Sequence, residues 1–227
     1  MARKLSAYRI YLIYAGVTAF LFDFVFTVNQ LYRIEVAGLD AAQLVLIGTA
    51  LELSCFLFEI PTGILADVKS RKLSVIIGLI LIGLGFLTES LVTNFWAILL
   101  CQVIWGFGYT FTSGADEAWI ADELGGKNLE QLFLKGAQIG QVGALLAIIA
   151  STIIGTVKIN LPMAIGGVSF ILLGLFLYVC MPETAFHPTS VEDRNSFQQM
   201  FYTLNVGFQY IRKSPFLIVM LMICLFY

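Results

Sequence analysis

Six stretches of this chain are each long and apolar enough to cross a lipid bilayer as a helix, and connections between them are mostly short. A bilayer core about 30 Å thick needs roughly 20 apolar residues in helical form. Residues 8–32, 43–66, 73–92, 95–121, 136–157 and 161–181 meet that demand. Hydrocarbon offers no water to backbone N–H and C=O groups, so each stretch must satisfy its own as a helix. Composition agrees, with 59% of the 227 residues hydrophobic and 12% charged, against about a quarter charged in a soluble domain. The fold class is therefore an all-α membrane protein.

Lysine and arginine set the orientation, because cytoplasmic loops accumulate them. Eleven of the 13 fall on one side, including Arg3, Lys4, Arg9, Lys69, Arg71, Lys72, Lys127 and Lys135; Arg33 and Lys158 fall on the other. A multi-pass protein of the cell (plasma or inner) membrane with a cytoplasmic N-terminus is expected. The first run is too long for a signal peptide and carries Asp23, so it reads as a retained span. A net charge of −2 argues against a nucleic-acid partner. The four cysteines stand singly in apolar runs, the one histidine (His187) lies in a polar loop, and no nucleophile elbow or phosphate loop occurs. No enzyme, cofactor or metal site is expected.

Between the second and third spans, residues 63–72 read Gly-Ile-Leu-Ala-Asp-Val-Lys-Ser-Arg-Lys. This resembles the loop signature of the major facilitator superfamily, Gly-x-Leu-Ala-Asp-Arg-x-Gly-Arg-Lys. Gly63, Leu65, Ala66, Asp67, Arg71 and Lys72 match, while Val68 and Ser70 depart from it. The resemblance implies a six-helix N-terminal domain of the major-facilitator fold, built from two inverted three-helix repeats, plus the start of helix 7. Hydropathy alone supports equal triplets; no residue-level echo between them is visible. The expected organisation is a six-helix domain over 1–181, a cytoplasmic linker over 182–214 and an incomplete seventh helix over 215–227. Those last residues reach only about 20 Å, so a missing C-terminal six-helix half of the same protein is the implied partner. In the linker, Phe197, Phe201, Leu204, Phe208 and Ile211 form one helical stripe, suited to the membrane surface or, as the alternative, to packing against the bundle.

Ionisable groups inside spans are costly and mark function by default. Asp23, Thr27 and Gln30 share one face of the first span; Gln102, Tyr109, Ser113 and Asp116 form a polar stripe on the fourth. The resemblance implies that these two helices line a central cavity. Glu52 sits mid-span on the second helix, where a carboxyl group in low dielectric can take up and release a proton. Asp23 and Glu52 are expected to face the interior, and Glu89 to snorkel to the interface. With carboxylates and no deep basic residue, such a cavity favours cations or neutral compounds over anions. The family often has Arg where Gln102 stands, and this chain lacks the Gly-Pro motif of many drug–proton antiporters on the fifth span. Gly136, Gly140 and Gly143 there have the spacing of close helix packing.

The signature loop reads as a gate. Gly63 permits close helix approach, Asp67 suits a helix N-terminus, and Arg71 can pair with Asp122 or Glu123 at the end of the fourth span. The functional expectation is a secondary transporter moving a small molecule by alternating access, with proton-coupled efflux of a cationic or neutral compound in first place. A nutrient importer of the same fold is the alternative. A non-transporting receptor or structural module is the third reading, which flux in vesicles would refute.

Overall fold

The computed structural model describes residues 6–188 together with Gln209, Ile211, Arg212, Ser214, Phe216, Leu217, Val219 and Met220. The chain divides into one unit over Met1–Pro188 and a second over Thr189–Tyr227. In the second unit, Gln209, Ile211, Arg212, Phe216, Leu217, Val219 and Met220 are helical. The linker stripe at Phe197, Phe201, Leu204 and Phe208 lies outside the described residues.

In the first unit the chain forms α1 (Ala7–Glu35), α2 (Ala41–Val68), α3 (Arg71–Glu89), α4 (Phe95–Thr112), α5 (Ala115–Leu124), α6 (Leu129–Val157) and α7 (Leu161–Cys180). Six elements have the length and hydropathy of membrane spans, with α4 and α5 together making the fourth. Side chains at the turns stop and start them. Asp40 and Gln43 form a reciprocal capping box at α2. Ser70 accepts from the Leu73 N–H at α3, and Asn94 from Trp96 and Ala97 at α4. The second helix runs unbroken through Pro61.

The expected continuous fourth span is broken. Gly114 adopts a left-handed conformation (φ 70°, ψ −19°) after an extended Ser113, and the chain then resumes as α5. The sequence turns polar here, with Thr112, Ser113, Asp116 and Glu117 around the glycine, but a polar stripe on a continuous helix has the same pattern. The fifth span starts earlier than expected, at Leu129 rather than 136.

Packing carries the repeat that the residues do not. In span numbers, the first packs on the fifth and sixth, the third on the fourth and sixth, and the second on the fourth. Exchanging spans one to three for four to six turns each of these pairs into another of the set, except the third and sixth, which exchange with each other. An odd number of spans per repeat makes the two triplets inverted.

Small residues bring the helices together where the hydrophobic effect offers little drive. A Cβ at Gly78 would lie 2.6 Å from the Gly108 carbonyl oxygen, and one at Gly83 would lie 2.6 Å from that of Gly167. The expected packing role of the fifth-span glycines holds, since Gly136, Gly140 and Gly143 lie against Tyr11, Ala19 and the Gly16 carbonyl of α1. Gly63 differs from expectation, because a Cβ there would meet nothing within 4 Å among the described residues. Hydroxyls add interhelical bonds: Ser54 to the Val103 carbonyl (2.9 Å), Ser74 to Phe111 (2.8 Å) and Ser151 to Phe24 (2.6 Å).

Candidate functional site

A cavity of about 1080 Å³ opens between α1, the α4–α5 break and α6. From α1 it takes Tyr11, Tyr14, Thr18, Phe22 and Asp23; from the fourth span, Tyr109, Thr112, Ser113, Gly114, Asp116 and Glu117; from α6, Phe133, Gln141 and small residues at 136, 137, 140 and 144. Three carboxylates and no Lys or Arg line it. The helical period explains the α1 set: positions 11, 14, 15, 18, 22 share one face. The glycines and alanines of α6 leave the volume open.

Asp116 is the best-placed charge. It sits half-buried in the first turn of α5, accepts from the Glu117 N–H (2.8 Å) and lines the same cavity as Tyr14 of α1. An acid in the first turn also answers the helix dipole. Tyr109 lies within electrostatic reach of Glu52, Glu59 and Asp116. Ser113 donates to Glu59 on α2 at 2.8 Å, which ties the end of α4 to the second span.

Of the eight expected pathway residues, Asp23, Tyr109, Ser113 and Asp116 line this cavity, and Thr27, Gln30, Glu52 and Gln102 do not. Thr27 and Gln30 are exposed and lie beyond the cavity, one and two turns past Asp23. Thr27 returns its hydroxyl to the Asp23 backbone carbonyl at 2.6 Å. Glu52 is exposed rather than interior. The second span buries only Ile47, Ser54, Thr62 and Ala66, so most of its circumference faces outward.

Gln102 belongs to another cluster. Its amide donates to Glu89 Oε2 at 2.6 Å, and Arg33 Nε donates to Glu89 Oε1 at 2.7 Å. All three are buried, so Glu89 does not snorkel, and Arg33 is a buried basic residue in the last turn of α1. Phe22, Phe26, Phe86, Trp105 and Phe170 pack ring against ring, with centroids 4.9–6.3 Å apart. Along α1 and α4 this aromatic layer stands between the cavity and Gln102.

At the opposite end lies the charged turn. Arg71 Nη1 donates to Asp122 Oδ2 and, at 2.8 Å, to the Ala118 carbonyl; Nη2 reaches Asp67 Oδ1 at 3.4 Å. The Phe186 ring lies over the guanidinium, 5.9 Å from its centroid. Glu123 does not pair with Arg71. It accepts instead from the N–H groups of Thr184 (2.5 Å) and Ala185 (2.9 Å) and from the Thr184 hydroxyl (2.9 Å). Glu183 accepts from the Ser70 hydroxyl (2.6 Å) and the Lys72 N–H (2.9 Å), so a carboxylate just past α7 caps the start of α3. Trp119 Nε1 donates to the Pro182 carbonyl at 2.6 Å. Sequence reasoning missed Glu183, Tyr14, Thr18 and Gln141. Their signals were a carboxylate just after a span, polar residues within three turns before Asp23, and a glutamine beside Gly140.

Comparison with known proteins follows this geometry. The family profile described as Major Facilitator Superfamily matches residues 11–227. An uncharacterised MFS-type transporter of Bacillus subtilis (strain 168), YxaM, is 24% identical over 156 residues, which cover 69% of this chain and 39% of that protein.

Proposed function

This chain belongs to the Major Facilitator Superfamily and is a multi-pass membrane protein, and from that premise we propose that the whole protein is a secondary transporter. Its substrate in this reading is an organic cation or a neutral compound of similar size. The cavity carries the proposal: three carboxylates, two of them at the α4–α5 break, face aromatic rings of Tyr11, Tyr14, Phe22 and Tyr109 with no Lys or Arg among the lining residues. Low-dielectric walls lined by one sign of charge concentrate the opposite sign, and aromatic faces attract cations.

Asp23 and Asp116 hold the substrate's charge in this mechanism. Asp116 also exchanges the coupling proton, since it is half-buried yet opens onto the cavity. Glu52, exposed on α2, is the second candidate for the proton. The second six-helix half closes the cavity against the exposed faces of α2 and α6. The Arg71 end is cytoplasmic, and the Arg71–Asp122 pair breaks when that side opens, as alternating access requires. Transport runs outward, in exchange for protons.

The test is flux in proteoliposomes of the full-length protein loaded with a fluorescent organic cation. Cation movement that follows an imposed pH gradient, and proton movement that follows added cation, are expected. Gradient-independent leakage equal to empty liposomes would overturn the reading. Uptake rather than release under the same gradient would favour an importer.

A further inference from the structure

The fourth span breaks where its residues turn from apolar to polar, and it does so through a left-handed Gly114. The glycine at the break is not there for space. Among the described residues, a Cβ at Gly114 would meet nothing within 4 Å. It is there for conformation, because φ 70° lies in the left-handed region that side chains with a Cβ resist.

The two sides of the break are fastened to different neighbours. On one side, α4 is pinned to α3 by the Gly78–Gly108 contact, and its end is tied to α2 through Ser113 and Glu59. On the other side, α5 is held to the start of α3 by Arg71, which bonds both the Ala118 carbonyl and Asp122. Trp119 and Glu123 bind it to residues 182–185 beyond α7. This ten-residue helix therefore carries cavity residues on its first turn, Asp116 and Glu117, and the gate residue Asp122 on its last. In an unbroken helix each residue turns about 100° from the last, so the attachments of α4 would dictate the direction of Asp116. The left-handed step frees α5 from that register.

We propose that Gly114 is a positioning residue: its left-handed conformation lets Asp116 face the cavity while Asp122 stays on Arg71. The substrate part of this inference rests on the cation reading above, and the positional part does not.

The experiment compares Gly114→Ala with Gly114→Asn in the full-length protein. Asparagine is the larger side chain but tolerates the left-handed region; alanine is smaller and does not. A steric role therefore ranks alanine as the milder change, and a conformational role ranks asparagine so. Two readouts are taken. One is the labelling rate of a cysteine at position 116 (Asp116→Cys, native cysteines replaced) by a water-soluble thiol reagent. The other is the dissociation constant of tetraphenylphosphonium for the detergent-solubilised protein with Asp116 intact.

Gly114→Ala is expected to change both by about tenfold, the scale of the left-handed penalty, and Gly114→Asn by less than about threefold. Equal effects, the reverse ranking, or no effect of alanine would each overturn the proposal. If the protein with Gly114 intact does not bind the cation, the cation reading falls and labelling alone decides the positional claim. Should the alanine chain fail to insert, a more than threefold loss of labelling in the asparagine chain would refute it.

Discussion

Arg33 on α1 and Glu89 on α3 form an ion pair at 2.7 Å in which the side chains retain 5% and 0% of their exposure. Such a pair gains little net energy over apolar residues of the same shape, since desolvation offsets the attraction. Its value is conditional: removing one member strands the other charge. With Gln102 on the second carboxylate oxygen, the pair ties the first, third and fourth spans at the end away from the Arg71 turn.

Arg33→Ala or Glu89→Ala is therefore expected to destabilise the protein by about 3–5 kcal/mol. The double replacement Arg33→Met with Glu89→Met is expected to recover most of that. Thermal unfolding of the detergent-solubilised variants measures both. A double variant no better than the singles would show that the cluster is needed for more than charge balance.

Arg71, with 19% side-chain exposure, and Asp122, with 31%, face partly into water. Their pair should contribute about 1 kcal/mol to stability. Arg71→Ala and Asp122→Asn should leave insertion intact and slow transport strongly, with little further loss in the double variant. Single and double flux rates form the test; independent, multiplying losses would mean that the two residues do not act together.

Asp23→Asn is expected to weaken binding of organic cations well beyond that of uncharged compounds of the same size. Competition binding with matched pairs checks it. Equal weakening would make Asp23 a general contact rather than a charge partner.

Glycine positions should divide by what their Cβ would touch. Gly78→Ala drives a methyl group toward the Gly108 carbonyl and Phe111, where overpacking costs about 1–3 kcal/mol. Gly48→Ala meets nothing within 4 Å among the described residues and should be neutral or stabilising by up to about 1 kcal/mol through helix propensity. Melting temperatures of the two variants, side by side, decide the matter.

Orientation is open to direct measurement. Cysteines introduced at the exposed positions Lys127 and Lys158 should label from opposite sides of sealed cells, with position 158 reached from outside. Labelling of 127 from outside would invert the topology.

The number of spans and the class of fold can be read from the residues alone, because hydrophobic length is a property that each segment carries by itself. The sequence also pointed to Arg71 with either Asp122 or Glu123, since a charged turn can reach only the helix ends near it; the fold chose Asp122. Asp23, Tyr109, Ser113 and Asp116 were legible as a polar face on two helices. What only the tertiary structure decided is which polar face meets a cavity and which meets a partner. Glu89 and Gln102 look in the sequence like any polar residue near a span end or on a stripe, yet they share one buried cluster with Arg33. Glu52 sits mid-span yet faces outward, because burial depends on which side of α2 the neighbours choose. The break at Gly114 was hidden for a related reason. A glycine inside a polar stripe is compatible with both a straight and a broken helix, and the attachments of α4 and α5 to different neighbours select the broken one.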